Sequence, residues 1–216
     1  MLTTQLPGFS EITRDSQETF RALLEALSQP GKTYEPSVQL TPPKGLTLAC
    51  AAACLTLLDL ESRVWLQPGF SADVEGWLQF HTGCRFSAEP DEVAFAVIHD
   101  LSALALDEFS WGSAEAPEAS ATLLVQVGAL AGGLSVMLRG PGILQAREIS
   151  PEVPASFWTE WQRNHRAYPR GLDVFLFGGK TVMGLPRTVA AQSVDVQSVD
   201  VQSVDVQSVD AQMLEV

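Results

Sequence analysis

Glu92-Val93-Ala94-Phe95-Ala96-Val97-Ile98 is the stretch on which the fold turns. Its apolar run is too short for a typical helix and predicts a buried strand. Upstream, Val64-Trp65-Leu66 is a shorter strand candidate, ended by Pro68-Gly69. Between the two, Ser71 can cap an amphipathic helix with Val74, Trp77, Leu78 and His81 on one face. Earlier still, Leu46–Leu60 is apolar almost all round, which predicts a helix buried on most sides. The first helix is expected over residues 15–29. Phe20, Leu23, Leu24 and Leu27 form its apolar face, Asp15 stands at the N-cap, and Pro30-Gly31 stops it. Downstream of the opening stretch, a short helix is expected near residues 101–109. Residues 122–128 and 134–139 read as strands around an Ala131-Gly132-Gly133 turn, a predicted hairpin. Pro154 opens a helix whose Phe157, Trp158, Trp161 and His165 share a side. Asp173–Phe177 and Thr181–Leu185 then predict a second hairpin around Gly178-Gly179-Lys180. Helices and strands interleave early and hairpins come late. This predicts an α/β fold, a mixed β-sheet flanked by helices.

Residues 1–190 are long enough to form a single domain with its own core. Residues 191–216 differ in kind, because a five-residue unit repeats there. Gln-Ser-Val-Asp-Val begins at Gln192 and recurs at 197 and 202, with a last copy at 207 ending in Ala211. Four short copies are too few for a stacked repeat architecture, so an acidic, disordered tail is expected. Lys and Arg total 13 against 26 Asp and Glu, a net charge of −13. Five of those acids and no base lie in residues 191–216, which leaves −8 on the rest. That balance argues against a nucleic-acid or anionic-membrane partner. Three cysteines and an opening Met1–Gly8 without a basic or apolar run predict a reduced, cytoplasmic protein.

Familiar catalytic motifs fail on single residues. Gly179-Lys180-Thr181 has Val174 where a phosphate-binding loop needs glycine, and Gly140-Pro141-Gly142 has Gln145 where a dinucleotide fingerprint needs one. Cys50 and Cys54, one helical turn apart among Ala and Leu, read as core residues. Cys84 follows His81 closely enough for a Cys–His nucleophile to be considered. His81, His99 and His165 have no metal-ligand spacing, and each reads as a hydrogen-bonded structural histidine. Glu118, beside Glu115 in a turn before an apolar strand, is a carboxylate placed where a site could be built. Arg139 and Arg187 stand at strand ends, where their planar forks could grip an anion. Lys32, Lys44 and Lys180 all lie in loops or turns, so none reads as a Schiff-base lysine.

Five segments in order nevertheless resemble one family over about residues 14–188. They are Phe20 to Gly31; Phe80-His81-Thr82 with Glu89-Pro90 and Ala94 to Val97; Gly112-Ser113 through Ala116-Pro117-Glu118-Ala119 to Val127; Leu138-Arg139-Gly140-Pro141-Gly142-Ile143; and Tyr168-Pro169-Arg170-Gly171-Leu172-Asp173 with Leu185-Pro186-Arg187-Thr188. Together they resemble PhnH, the H subunit of the bacterial carbon–phosphorus lyase core complex of phosphonate metabolism. Arg139, where a small polar residue is expected, and the repeated tail depart from the pattern. The resemblance implies a fold similar to a reduced pyridoxal-dependent transferase without the cofactor site, and therefore no cofactor. It implies G, I and J subunits as partners, a homodimer, and an accessory role in forming ribose 1-phosphonate 5-triphosphate from a nucleoside triphosphate and a phosphonate. It supplies no catalytic residue. Two alternatives stand beside it. One is a ligand-binding or catalytic subunit whose pocket uses His81, Glu118, Arg139 and Arg187; the other is a stand-alone homodimer that has lost its partners.

Overall fold

A computed structural model describes residues 6–102 and 104–193. In chain order the elements are α1 (Ile12–Ser28), β1 (Thr33–Tyr34), α2 (Leu48–Leu57), β2 (Arg63–Leu66), α3 (Ala72–Thr82), β3 (Arg85–Phe86), β4 (Phe95–Ile98), β5 (Thr122–Gln126), β6 (Val136–Arg139), β7 (Arg147–Ile149), α4 (Ala155–Arg166), β8 (Asp173–Gly178), β9 (Thr181–Leu185) and β10 (Ala190–Ser193). Seven strands form one mixed sheet in the order β1-β9-β8-β5-β4-β2-β3. Its five members from β8 to β3 run parallel, while β9 is antiparallel to β8 and β1 to β9. A second sheet, β10-β6-β7, is antiparallel throughout.

The opening stretch becomes β4, with β2 on one side and β5 on the other. Alternate residues of the central strands point to two separate cores. Val97, Leu124, Phe175 and Phe177 pack with α1, α2 and α3. Ala96, Ile98, Leu123, Val125, Val174 and Leu176 pack with Phe157, Trp158 and Trp161 of α4 and with Val136, Leu138 and Ile149 of the small sheet. Leu123, Leu124 and Val125 are fully buried, each contributing about 1.5–3 kcal/mol of hydrophobic stabilisation.

The predicted hairpin between residues 122–128 and 134–139 does not form. Both edges of β5 are taken by β4 and β8, and β6 pairs with β10 and β7 instead. A strand buried on both faces belongs inside a parallel sheet, not in a two-stranded ribbon with a wet side. The intervening turn is held elsewhere: Gly133 donates its N–H to Ser150 O at 2.7 Å. The final hairpin, β8 with β9, forms as predicted. β10 carries Gln192 and Ser193, so the sheet structure runs past residue 190 into the first repeat. The remaining repeats lie outside the described residues.

The first helix starts earlier than its expected cap. Glu11 is the N-cap, and Asp15 lies inside α1, 7% exposed, accepting the Glu11 N–H at 3.1 Å and the Ser10 hydroxyl at 3.3 Å. The helix is also rotated from the expected face. Thr19, Ala22, Leu23 and Ala26 point inward, while Phe20 and Leu24 remain 52% and 56% exposed. The cause lies in β9. A Cβ on Gly184 would stand 2.5 Å from Ala26 O and 2.6 Å from Ala26 C, so the helix backbone rests directly on the glycine. A small residue at Ala26 goes with that approach, while the larger Leu23 fills the core beside it.

Gly184→Ala is therefore expected to lower the unfolding free energy in urea by about 2–3 kcal/mol through overpacking. Gly76→Ala, in α3 with open space around the new methyl, is expected to raise it by about 0.5–1 kcal/mol.

Candidate functional site

Parallel sheets open a crevice at the strand C-termini where successive connections leave in opposite directions. Here the chain leaves β2 for β3 on one side, then returns to β4 on the other. A cleft of about 360 Å³ opens at these ends, lined by Gly45, Thr47, His99, Asp100, Gln126 and Glu152 among others. A neighbouring recess of about 530 Å³, lined by Lys44, Phe70, Ser71 and Asp73, shares Gly45 and His99 with it.

Two glutamines, Gln126 in the cleft wall and Gln67 behind it, hold the lining backbone. Gln67 Oε1 accepts the N–H groups of His99 and Asp100, both at 2.9 Å, and its Nε2 donates to Asp100 O at 2.7 Å. Gln126 Oε1 accepts the Thr47 N–H at 2.6 Å while its Nε2 donates to Gly45 O at 2.9 Å. The N-terminus of α2 is thereby occupied from within: Ala49 N–H also donates to Gly179 O at 3.2 Å. Helix N-termini attract anions only through free N–H groups, so α2 offers less than its position suggests. Thr47 Oγ1 is buried with no hydrogen-bond partner among the described residues.

Hydrogen bonds from the hydroxyl and amide of Ser102 hold the Asp100 carboxyl below its ordinary pKa, with His99 adding a smaller push. Asp100 and Glu152 give the cleft a carboxylate lining that suits hydroxyl or amine donors and repels phosphoryl oxygens. His99 ends β4 with Nε2 3.2 Å from Pro68 O and its ring edge-on to Phe70 at 4.7 Å. Its position at a parallel strand's C-terminal end was the available signal for this cleft. The glutamines and Thr47 carry no such mark.

The four residues singled out from sequence line neither cleft. His81, on the last turn of α3, directs Nε2 at Leu6 O at 3.0 Å, and Trp77 Nε1 donates to the same carbonyl at 2.9 Å. Together they anchor the chain before α1. Arg139 is exposed at the end of β6 on the small sheet. Glu118 is exposed in the short turn Pro117–Ala119 and enters no ion pair among the described residues.

Arg187 neighbours that turn but faces inward. Nε lies 3.2 Å and Nη2 2.6 Å from Asp173 Oδ2; Nη2 also donates to Ser120 Oγ at 2.6 Å. Nη1 donates to Pro117 O at 2.8 Å and Pro169 O at 3.4 Å. All five guanidinium donors have protein acceptors, and side-chain exposure is 13% for Arg187 and 25% for Asp173. The fork ties the start of β8, the turn before β5 and the segment after α4 into one unit.

Cys84 and His81 make no nucleophilic pair. Cys84 is 1% exposed, and burial pushes its thiol up, although the Thr82 hydroxyl pulls the other way. Burial, with Cys54 adding, pushes Cys50 well above the usual thiol range.

Removing Arg187 strands the mostly covered Asp173 carboxylate, so Arg187→Ala is expected to cost about 3 kcal/mol in chemical denaturation. Arg139→Ala, on the surface, is expected to change stability by less than about 0.5 kcal/mol. Native protein at pH 8 is expected to leave all three cysteines unalkylated by iodoacetamide, and urea-unfolded protein to react at each; fast native labelling at Cys84 would show an activated thiol instead.

With this geometry in place, likeness to known proteins becomes informative. Residues 7–192 match the family model described as bacterial phosphonate metabolism protein (PhnH). The alpha-D-ribose 1-methylphosphonate 5-triphosphate synthase subunit PhnH of Rhizobium meliloti (strain 1021) is 37% identical over 184 residues, 84% of this chain and 92% of that protein. A putative C-P lyase subunit protein, HtxG of Stutzerimonas stutzeri, is 35% identical over 82 residues, covering 36% of this chain and 40% of that protein. The match takes in every described strand and helix up to β10, and the chain belongs to the PhnH family of bacterial phosphonate metabolism proteins.

Proposed function

We propose that this chain is an accessory subunit of the carbon–phosphorus lyase core complex in alkylphosphonate catabolism. It supports the step that joins a phosphonate to the ribosyl C1 of a nucleoside triphosphate. The observation that carries this reading is the match to a synthase subunit over 92% of that subunit's length. The G, I and J subunits are the partners, the chain pairs with a second copy of itself, and the assembly works in the cytoplasm. No helix among the described residues is long and apolar enough to cross a membrane, which is compatible with that place.

The placement of the charged residues supports an assembly role. Arg187 and His81 hold loops together, which leaves Glu118 and Arg139 as exposed charges for contact with other subunits. The acid-lined cleft supports contact with hydroxyl or amine groups more than with a triphosphate. A sheet with five parallel strands and helices on both faces supports kinship with a reduced pyridoxal-dependent transferase fold that lacks the cofactor site.

Co-expression with the G, I and J subunits, pull-down on this chain and light scattering of the eluate test the proposal. One large, defined particle containing all four chains is expected. Assembly of the other three without this chain overturns it.

A further inference from the structure

We propose that the cleft at the C-terminal ends of β4 and β5 is a binding site for a small organic ammonium ion. The inference goes beyond the assembly role and does not depend on it. Asp100 follows β4 and Glu152 precedes α4; no Lys or Arg lines the cleft with them. Neither carboxylate enters an ion pair among the described residues. Asp100 Oδ1 accepts the Ser102 hydroxyl at 2.5 Å and the Ser102 N–H at 2.8 Å. These bonds hold the group below the ordinary carboxylate range, so it stays charged at neutral pH. Its Oδ2 has no hydrogen-bond partner among the described residues.

An acidic wall alone does not make a site, and two further features build this one. Gly128 has no left-handed backbone to require a glycine. What its bare Cα leaves room for is the Glu152 carboxylate, because a Cβ there would fall on Glu152 Oε2. The Glu152 N–H donates to Ala129 O at 2.9 Å, which fixes the backbone that carries the acid. Thr47 stands at the N-cap of α2 yet makes no capping bond, and its buried Oγ1 has no hydrogen-bond partner among the described residues. A buried hydroxyl without a partner is costly, and a polar occupant of the cleft supplies one.

The same wall selects the occupant. Free carboxylate oxygens call for a ligand that is positive and rich in N–H donors. A metal ion fits poorly, since no three His, Cys, Asp or Glu side chains among the described residues come together to hold one. The neighbouring recess of about 530 Å³, joined to the cleft at Gly45 and His99, has the Phe70 ring in its wall, edge-on to His99. A short apolar stem belongs there, with its ammonium group in the acidic cleft. Lys44 and Asp73, which also line the recess, carry opposite charges.

Amide NMR of the nitrogen-15-labelled full chain, titrated with butylammonium at pH 7, tests the site. 1-Butanol and butyrate serve as neutral and anionic probes with a similar stem. Butylammonium is expected to shift the Asp100, Gln126 and Gly128 amides saturably and to bind about tenfold or more tighter than butanol, while butyrate shifts none of them. Glu152→Gln and Asp100→Asn should each weaken butylammonium about fivefold. Gly128→Ala should weaken it as much as Glu152→Gln, because the new methyl takes the carboxylate's place without changing the charge. Glu61→Gln, exposed and outside the cleft, should change binding by less than about twofold. No saturable shift up to about 100 mM, a range suited to so small a probe, overturns the proposal. So does equal binding of butanol, a Gly128→Ala variant that binds like the parent, or an equal loss in Glu61→Gln, which marks diffuse attraction to an acidic surface. Failure of the titration with the four-chain particle intact strikes this site and leaves the assembly role standing. Binding by a chain that the other three subunits assemble without does the reverse.

Discussion

The central strands have no side that meets water. Once β4, β5 and β8 are apolar on both faces, each face needs its own cover, because an open sheet of this kind would leave a large apolar area exposed. The chain supplies two covers of different construction. α1, α2 and α3 close one face; α4 with the small sheet closes the other. The small sheet is therefore part of the core rather than an appendage: Val136, Leu138 and Ile149 fill the same cluster as Trp158 and Trp161. Trp161 also donates Nε1 to Val189 O, fastening α4 to the segment that enters β10.

This constraint decides how much of the structure can be read from the chain. Helices with local punctuation are legible: Pro30-Gly31 and Pro154 mark ends that the structure keeps within a residue or two. The β8–β9 hairpin is legible because its turn and both strands are contiguous. The pairing of β5 is not, because its partners lie at residues 95–98 and 173–177, far away in sequence. A turn-like Ala-Gly-Gly between two apolar runs suggests a hairpin only when the first run has a free edge, and edge availability is a tertiary property. The rotation of α1 is similar. Phe20, Leu23, Leu24 and Leu27 satisfy helical spacing, and Leu23 and Leu27 do meet the core, but the glycine that seats Ala26 and turns Phe20 and Leu24 outward sits in β9.

Functional residues follow the same division. An arginine after a strand reads equally as an anion fork or as a structural tie, and the difference is whether its donors are already filled. For Arg187 they are, by acceptors from Asp173, Pro117, Ser120 and Pro169, only the first of which stands on a neighbouring strand. His99 shows the reverse. Its ring accepts an ordinary structural explanation through Pro68 O, yet its place at the end of a parallel strand puts it between two recesses. Family kinship, by contrast, was legible without geometry, since short segments in fixed order carry more information than any one side chain.

The close approach that Gly184 enforces has a second consequence for α1. Packing a helix backbone directly on a strand requires a small residue at the contact, here Ala26, and of the large apolar residues of α1 only Leu23 is buried. Phe20 and Leu24 are thus displaced to the solvent side by the same contact that seats the helix. For a solitary chain, polar residues there would serve equally well, because nothing in the domain needs an aromatic ring at position 20. Their exposure links the inner packing of the sheet to the outer surface of the molecule. One glycine in β9 fixes the helix rotation, and the rotation leaves the Phe20–Leu24 stripe at the surface.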